Sequence, residues 1–464
     1  MDTFDVVVVG ARCAGASLAI QLAQQGLKVC VVDKARFPAD KASTHLFTPS
    51  GTAVLERLGV LDDVLDAGAT PLRTMRLRSN DVTVTTRPDP VSIGTMLGIR
   101  RHTFDPILLE HAARAGAEIR TSCVVDDVLV DKGRVVGIAT RSGPLYADLV
   151  VGADGQHSRI AECVGSQKYL TTPGSYMPVW SFYEGADPPY DLVMGRVAEG
   201  NGIALPLDSG AYIAMLGIPI HKADAFLVDR YTNFDAALAR WPEMAEAVAG
   251  ATRLGPLRIL RRWHGYFRVA AGPGWVLVGD AGHFKDPAPG QGMADAFRQS
   301  ESLSTRIVEG LGGGGNLDRE LLSWWRWRDS DAFEMYWAAA TLGELTNPSA
   351  VTDSAFRTLG KSDAALQGMM RAILPRTVKP HSALRLREIW LLAGYIAAAV
   401  AKNPLQAAPV VKAAIWQTRQ IGRLAAAYPG HRVGARRYQK LPTLSARLGT
   451  PMVQELRLPA AEAG

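Results

Sequence analysis

The residues of this 464-residue chain best placed to do chemistry are a glycine-bracketed turn, Gly10-Ala11-Arg12-Cys13-Ala14-Gly15, and a carboxylate, Asp33, about 20 residues beyond it. Main-chain N–H groups opening a helix after such a turn present a positive dipole end to a pyrophosphate. A carboxylate at the spacing of Asp33 accepts hydrogen bonds from a ribose and repels a 2′-phosphate, which favours the adenosine of FAD or NAD over that of NADP. Gly10, Ala11, Arg12, Ala14 and Gly15 are therefore candidate cofactor contacts, together with Asp33 and the neighbouring Lys34 and Arg36. Arg12 stands where the fingerprint has its second glycine. Its guanidinium fits there if it points out of the turn and pairs with phosphate or borders the cofactor ring.

These groups need a βαβ unit to hold them. The run Asp5–Val9 reads as a strand buried on both faces, a helical stretch reaches Gln25 before a stop at Gly26, and Lys28–Val32 is a second strand ending at Asp33. Gly10 permits the tight turn and Gly15 the close packing of helix on strand. Two further segments repeat the logic of strand, glycine and acid. One is Leu149-Val150-Val151 followed by Gly152-Ala153-Asp154-Gly155 and Ser158-Arg159. The other is Trp275–Val278 followed by Gly279-Asp280-Ala281-Gly282-His283, Pro287 and Gly290-Gln291-Gly292-Met293.

In this order and spacing the three segments resemble the flavoprotein monooxygenase superfamily typified by aromatic hydroxylases, over about the first 310 residues. The resemblance implies FAD. It places Asp280 on the ribityl hydroxyls and Asp154 in support of the pyrophosphate region. The Gly290–Met293 turn falls at the flavin N1 and C2 carbonyl, where a helix N-terminus stabilises the anionic reduced ring. Arg101 matches an arginine that touches the cofactor, Val125 a position whose backbone contacts adenine, and Pro287 a wall of the reaction pocket. The loop Lys41-Ala42-Ser43-Thr44-His45 is similar to a Ser-Thr-His stretch of a bacterial subgroup grouped with geranylgeranyl reductases and flavin halogenases. His45 then serves either as a proton donor over the flavin, titrating near working pH, or as a hydrogen-bonded wall residue.

The implied fold is α/β: a discontinuous Rossmann-like FAD-binding domain (1–73, 99–170, 275–330), an inserted antiparallel β-sheet substrate domain (74–98, 171–274) and a helical C-terminal region (331–464). Alternating stretches such as Gly202-Ile203-Ala204-Leu205 and Ala211–Leu216 suit the sheet. Its candidate substrate lining is Trp180, Phe182, Tyr212, Met215 and Trp263, residue types that fill cores as often as they wall sites.

No second glycine fingerprint follows a strand, so the chain has no dedicated nicotinamide domain; Gly312–Gly315 reads as a loop. The family's chemistry implies NAD(P)H as a transient electron donor and O2 forming a C4a-hydroperoxyflavin that oxygenates a small apolar substrate, aromatic or terpenoid. A reductase of isoprenoid double bonds would share every FAD motif. A halogenase needs a Trp-x-Trp-x-Ile-Pro stretch where this chain reads Ile203-Ala204-Leu205-Pro206, and a non-redox escort of prenylated proteins would have no use for the retained Asp280 and Gly290–Gly292 turn.

Apolar residues make up 47% and charged residues 21% of the chain, the composition of a packed globular enzyme. The four cysteines, Cys13, Cys30, Cys123 and Cys163, show no metal or disulfide spacing and read as reduced thiols of a cytoplasmic protein. The start of the chain lacks a secretion signal. Residues 351–464 carry 17 Lys and Arg against 5 Asp and Glu, a net +12, which leaves −6 on the remainder of a chain of net +6. Arg436, Arg437 and Lys440, near Trp416 and Tyr438, read as a solvated helical face rather than a nucleic-acid site, with peripheral membrane contact the alternative. The apolar stretch Ile389–Val400 is too short to span a bilayer and reads as a buried helix. A cap on the substrate domain, a homodimer contact and a lipid-facing entrance all stay open for this region.

Overall fold

A computed structural model describes residues 2–40, 42–346, 349–415 and 418–419. Valine-rich strands with no polar face need cover on both sides, and the chain supplies it. Thr3–Val9 lies at the middle of a sheet, parallel to Val29–Val32 on one side and to Gly143–Gly152 on the other. Glu118–Arg120 and Trp275–Leu277 extend it, also in parallel. Val6, Val7, Val8 and Val31 are fully buried in it, beneath the helices Cys13–Gln24, Arg101–Arg114 and Gly292–Leu311. Parallel strands put all their carboxyl ends on one edge, so Gly10, Asp33, Asp154 and Asp280 all follow strands that end on that edge.

A second sheet of seven strands runs in the order Thr252–Ile259, Tyr176–Glu184, Ala211–Pro219, Gly200–Pro206, Leu192–Val197, Met75–Ser79, Val82–Thr86. It is antiparallel except where Leu192–Val197 meets Met75–Ser79 in parallel, the seam that joins its two separate chain segments. Alternation along each strand divides the side chains between two cores. Val179, Tyr183, Tyr212 and Ala214 pack against Phe226, Phe234 and Trp241 of three short helices, Ala223–Val228, Arg230–Leu238 and Pro242–Val248, and of the turn before the last. Trp180, Ile203, Leu205 and Ile213 face the other way, into a cluster shared with Leu46, Met96 and the C-terminal helices Ser349–Lys361 and Asp363–Ile373.

Of the roles open to the C-terminal region, capping is therefore realised: Leu359, Ala365, Met370 and Leu374 close over the sheet. The boundary expected after residue 330 falls inside one unbroken helix, Leu317–Gly343, whose Trp324 and Trp325 belong to the core of the first sheet. The expectation of a buried helix at Ile389–Val400 is corrected. Helix Leu386–Lys402 buries only Glu388, and Trp390 is 70% exposed, because the helix Ser349–Lys361 covers one side and the other meets no described layer. No helix among the described residues is long and apolar enough to cross a membrane. Lys41, Trp416, Arg436, Arg437, Tyr438 and Lys440 lie outside the described residues.

Candidate active site

The nucleotide end is assembled by backbone approach. Gly10 has φ +106°, and a Cβ there would stand 2.4 Å from the Ala153 carbonyl oxygen; one on Gly15 would stand 1.8 Å from the Gly10 oxygen. Only glycine allows the fingerprint turn to press against both its own helix and the Asp154 loop. No side chain caps the helix Cys13–Gln24, so its first turn is left for an anion. Asp33 accepts from Ala11 N–H and Ala35 N–H, both at 2.8 Å, which orients the carboxylate and leaves acceptor capacity for a ribose. Val125 begins the strand reached from Cys123, whose N–H donates to the Asp33 carbonyl at 2.9 Å, so both belong to one end of the site. Lys34 and Arg36 are exposed beside them.

Arg12 caps nothing. Its backbone is extended, and its guanidinium leaves the turn to pair with buried Asp105 and to lie over the Phe37 ring, 5.1 Å from the centroid. The guanidinium thus points out of the turn, as expected, and has a protein partner there. Asp105 also takes Arg101 at 2.6 Å, so one buried carboxylate organises both arginines. Asp154 accepts from Arg159 N–H at 2.6 Å through Oδ2, while its buried Oδ1 has no partner and burial raises its pKa. An orphaned carboxylate oxygen beside an uncapped helix fits the hydroxyls of a bound dinucleotide.

Asp280 sits in the 3-10 turn Gly279–Ala281, which Gln299 holds by accepting Gly279 N–H at 3.0 Å. Tyr266 donates to the Asp280 carbonyl at 2.6 Å, with the Gln156 carbonyl 3.3 Å away, and so ties the Asp154 loop to the Asp280 turn. Three strand spacings separate the Asp33 and Asp280 ends of the edge, about 14 Å, a span for an extended dinucleotide.

At the ring end, Gly290 N–H closes a turn on the Pro287 carbonyl at 2.9 Å and Gly292 begins the helix Gly292–Leu311, again without a side-chain cap. Gln291 is turned instead to Thr48 and to the Ile373 carbonyl at 2.6 Å, which seats the C-terminal cap on this helix. Ser43 Oγ reaches Met293 Sδ at 3.7 Å, carrying the loop to His45 across the helix start. His45 is 3% exposed at φ +57°, its Nδ1 accepts Arg101 N–H at 3.1 Å, and its ring meets Phe182 edge-on at 5.4 Å. Burial, then the Arg101 charge, holds its pKa down to about 3. The premise that His45 titrates near working pH is thereby corrected: it is a neutral ring whose proton lies on Nε2.

Of the candidate substrate residues, Trp180, Phe182 and Met215 share the face toward this end. Tyr212 is withdrawn from the substrate wall, because it stands three residues from Met215 on one strand and points to the opposite face. Trp263 packs on Tyr176 and donates to its carbonyl at 2.9 Å, and Tyr176 in turn donates to Asp286 at 2.7 Å, so Trp263 braces the Pro287 loop from behind. Burial lifts the Asp286 pKa to about 7. The sequence alone does not single out Asp105, Tyr266, Gln291, Asp286 and Arg376; each makes a contact across more than 80 residues of chain, and only Gln291 lies inside one of the glycine motifs.

An edge carrying three carboxylates and two uncapped helices, with an apolar cluster of sheet and cap beyond them, fits a flavoprotein oxidoreductase. Residues 3–323 match the FAD binding domain family, and the chain belongs to it. It is 32% identical over 313 residues to menaquinone reductase of Mycolicibacterium smegmatis, covering 62% of this chain and 72% of that one. It is 28% identical over 343 residues to digeranylgeranylglycerophospholipid reductase of Methanothrix thermoacetophila, covering 70% and 83%. In fold it is similar to the flavin-dependent brominase Bmp2, with a TM-score of 0.71 at 17% identity over 87% of this chain and 100% of that one. The protein is an FAD-dependent oxidoreductase.

Proposed function

We propose that this protein saturates a double bond in an isoprenoid chain, with NAD(P)H as the source of electrons. The observation that carries the reading is a methionine-rich, partly open cluster between sheet and cap, which we read as the substrate slot. Six of the twelve methionines, Met75, Met96, Met194, Met215, Met369 and Met370, belong to that one cluster. Phe182, Met194 and Met215 from the sheet and Leu366, Met369 and Ile373 from the cap stay only half-buried within it. Unbranched, polarisable side chains adapt to a long flexible hydrocarbon better than to a rigid ring. The two similar reductases are named for menaquinone and for a digeranylgeranylglycerophospholipid.

FAD, when bound and reduced by NAD(P)H, would supply the hydride. The protein's own part is to surround the chain with apolar side chains and hold it against the helix start at Met293; His45, a neutral ring, offers a hydrogen bond through Nε2–H, and the proton that balances the hydride comes from solvent. The exposed apolar side of Leu386–Lys402, flanked by Arg385, Arg387 and Lys402, suits a membrane surface from which such a lipid is drawn.

A second reading, an O2-dependent monooxygenase of an apolar small molecule, is supported by the Pro287–Gly290 turn beside the uncapped helix. One experiment separates them: reduce the protein with NADPH or NADH without oxygen, add a prenylated naphthoquinone, and analyse the product by mass spectrometry. A product that is still heavier by two hydrogen atoms after air has re-oxidised any quinol to the quinone supports the reductase. A product heavier by one oxygen atom, formed only in air, replaces it with the monooxygenase.

A further inference from the structure

Two buried N–H donors on the flavin-facing side of the slot have no acceptor in the protein. One is His45 Nε2, since Nδ1 is occupied by Arg101 N–H. The other is Trp180 Nε1, on a side chain 4% exposed. An indole N–H only donates, and proteins seldom leave a buried donor unmatched. Orphaned donors occur elsewhere in the molecule, but these two flank one side chain, Phe182. Trp180 and Phe182 are two residues apart on the strand Tyr176–Glu184, so they project from one face about 7 Å apart. The Phe182 ring touches His45. The cations beside these residues are already paired, Arg258 with Asp40 and Arg101 with Asp105, each at 2.6 Å, and Leu46, Leu205 and Met215 of the same cluster are apolar.

We propose that the substrate carries an uncharged carbonyl acceptor at the flavin end of its apolar body, held by the N–H groups of His45 and Trp180, with Trp180 the specificity-determining residue. This rests on the reading that the slot holds an isoprenoid-bearing molecule, and it adds the chemistry of the head group. A charged head would lie unpaired in this wall, and a pure hydrocarbon would leave both donors unsatisfied.

The test uses the FAD-loaded protein and two probes of matched shape, 2-methyl-1,4-naphthoquinone and 2-methylnaphthalene, with affinities read from the flavin difference spectrum. The quinone binds at least about ten-fold tighter, and Trp180→Phe and His45→Phe each cut that preference about five-fold while affinity for the hydrocarbon holds. Tyr212→Phe, which removes an orphaned hydroxyl on the opposite face, leaves the preference intact. In the unmodified protein the carbonyl stretch of the bound quinone shifts to lower wavenumber, a readout that needs no variant. Equal affinity for the two probes, an unshifted carbonyl band, or a preference untouched by Trp180→Phe would overturn the proposal. So would a His45→Phe protein whose flavin potential moves while its preference stays, since the donor would then belong to the flavin. Anaerobic reduction of an isoprenoid without any probe preference sinks this inference alone; preference without reduction sinks the reductase reading alone.

Discussion

The nucleotide end and the substrate slot are built on opposite physical terms. At the nucleotide end backbone meets backbone: glycines let the turn at residue 10 touch residue 153, and half-satisfied carboxylates at 33 and 154 wait on one sheet edge. In the slot side chains meet side chains, brought from the strand at 180, the loop at 45, the strand at 215 and the cap helix at 369. The first region tolerates almost no change of residue type. The second tolerates change in its apolar wall and little in its two donors.

The largest expected effect lies where the regions are tied together. Arg376, at φ +58° with its side chain buried, reaches from the cap to Asp295 in the first turn of the helix Gly292–Leu311 and to Asp331 at 3.2 Å. Removing one partner of a buried pair costs up to about 3–5 kcal/mol, less here because Lys285 stays on Asp295 and Arg298 on Asp331. Arg376→Ala is expected to lower the melting temperature and expose the slot to a hydrophobic dye; a variant that melts like the parent would show that the regions are independent.

Next comes Gly15→Ala, which drives a methyl group into the Gly10 carbonyl at a cost of about 1–3 kcal/mol or more. Purified protein should carry little flavin, whereas Met369→Ala should keep its flavin and lose affinity for an isoprenoid. Equal flavin content in the two variants would erase the contrast.

A smaller effect concerns Asp286, between Tyr176 of the sheet and the Pro287 loop. Its folded pKa is raised to about 7 by burial, above the ordinary 3.8, so its contribution to stability is complete below pH 3.8 and is lost as pH rises toward 7. Asp286→Asn keeps the acceptor oxygen, and melting curves of the variant should fall less steeply across that window, by up to about 1 kcal/mol per pH unit. Parallel pH profiles would exclude this acid as the titrating group.

The smallest effect is a null one. Because the His45 pKa is held at about 3, activity should show no inflection from this ring between about pH 5 and 8. An inflection near the usual imidazole value that vanishes in His45→Asn would place a charged ring in the site.

The contrast also explains what was legible. Gly10, Gly15, Asp33, Asp154 and Asp280 announce themselves because their tasks are set by local conformation and by distance from a strand end. Tyr266 and Gln291 do not, since any tyrosine or glutamine looks alike until folding brings it to a carbonyl more than 80 residues away. Tyr212 was assignable by strict alternation with Met215, a signal present in the sequence but outweighed by the appeal of an aromatic side chain. The apolar stretch at 389–400 misled because hydropathy measures what a helix prefers, not whether a neighbouring layer exists to cover it.

By itself, then, the order of residues determined the cofactor, the parallel sheet and the edge on which FAD lies, because backbone geometry near glycines and strand ends is a local property. Tertiary structure alone decided that one buried carboxylate, Asp105, takes both Arg12 and Arg101, that burial holds the His45 pKa down, and that residues 349–374 cap a methionine-rich cluster. Those outcomes depend on which side chains exclude water from one another, and that is a property of packing across distant segments.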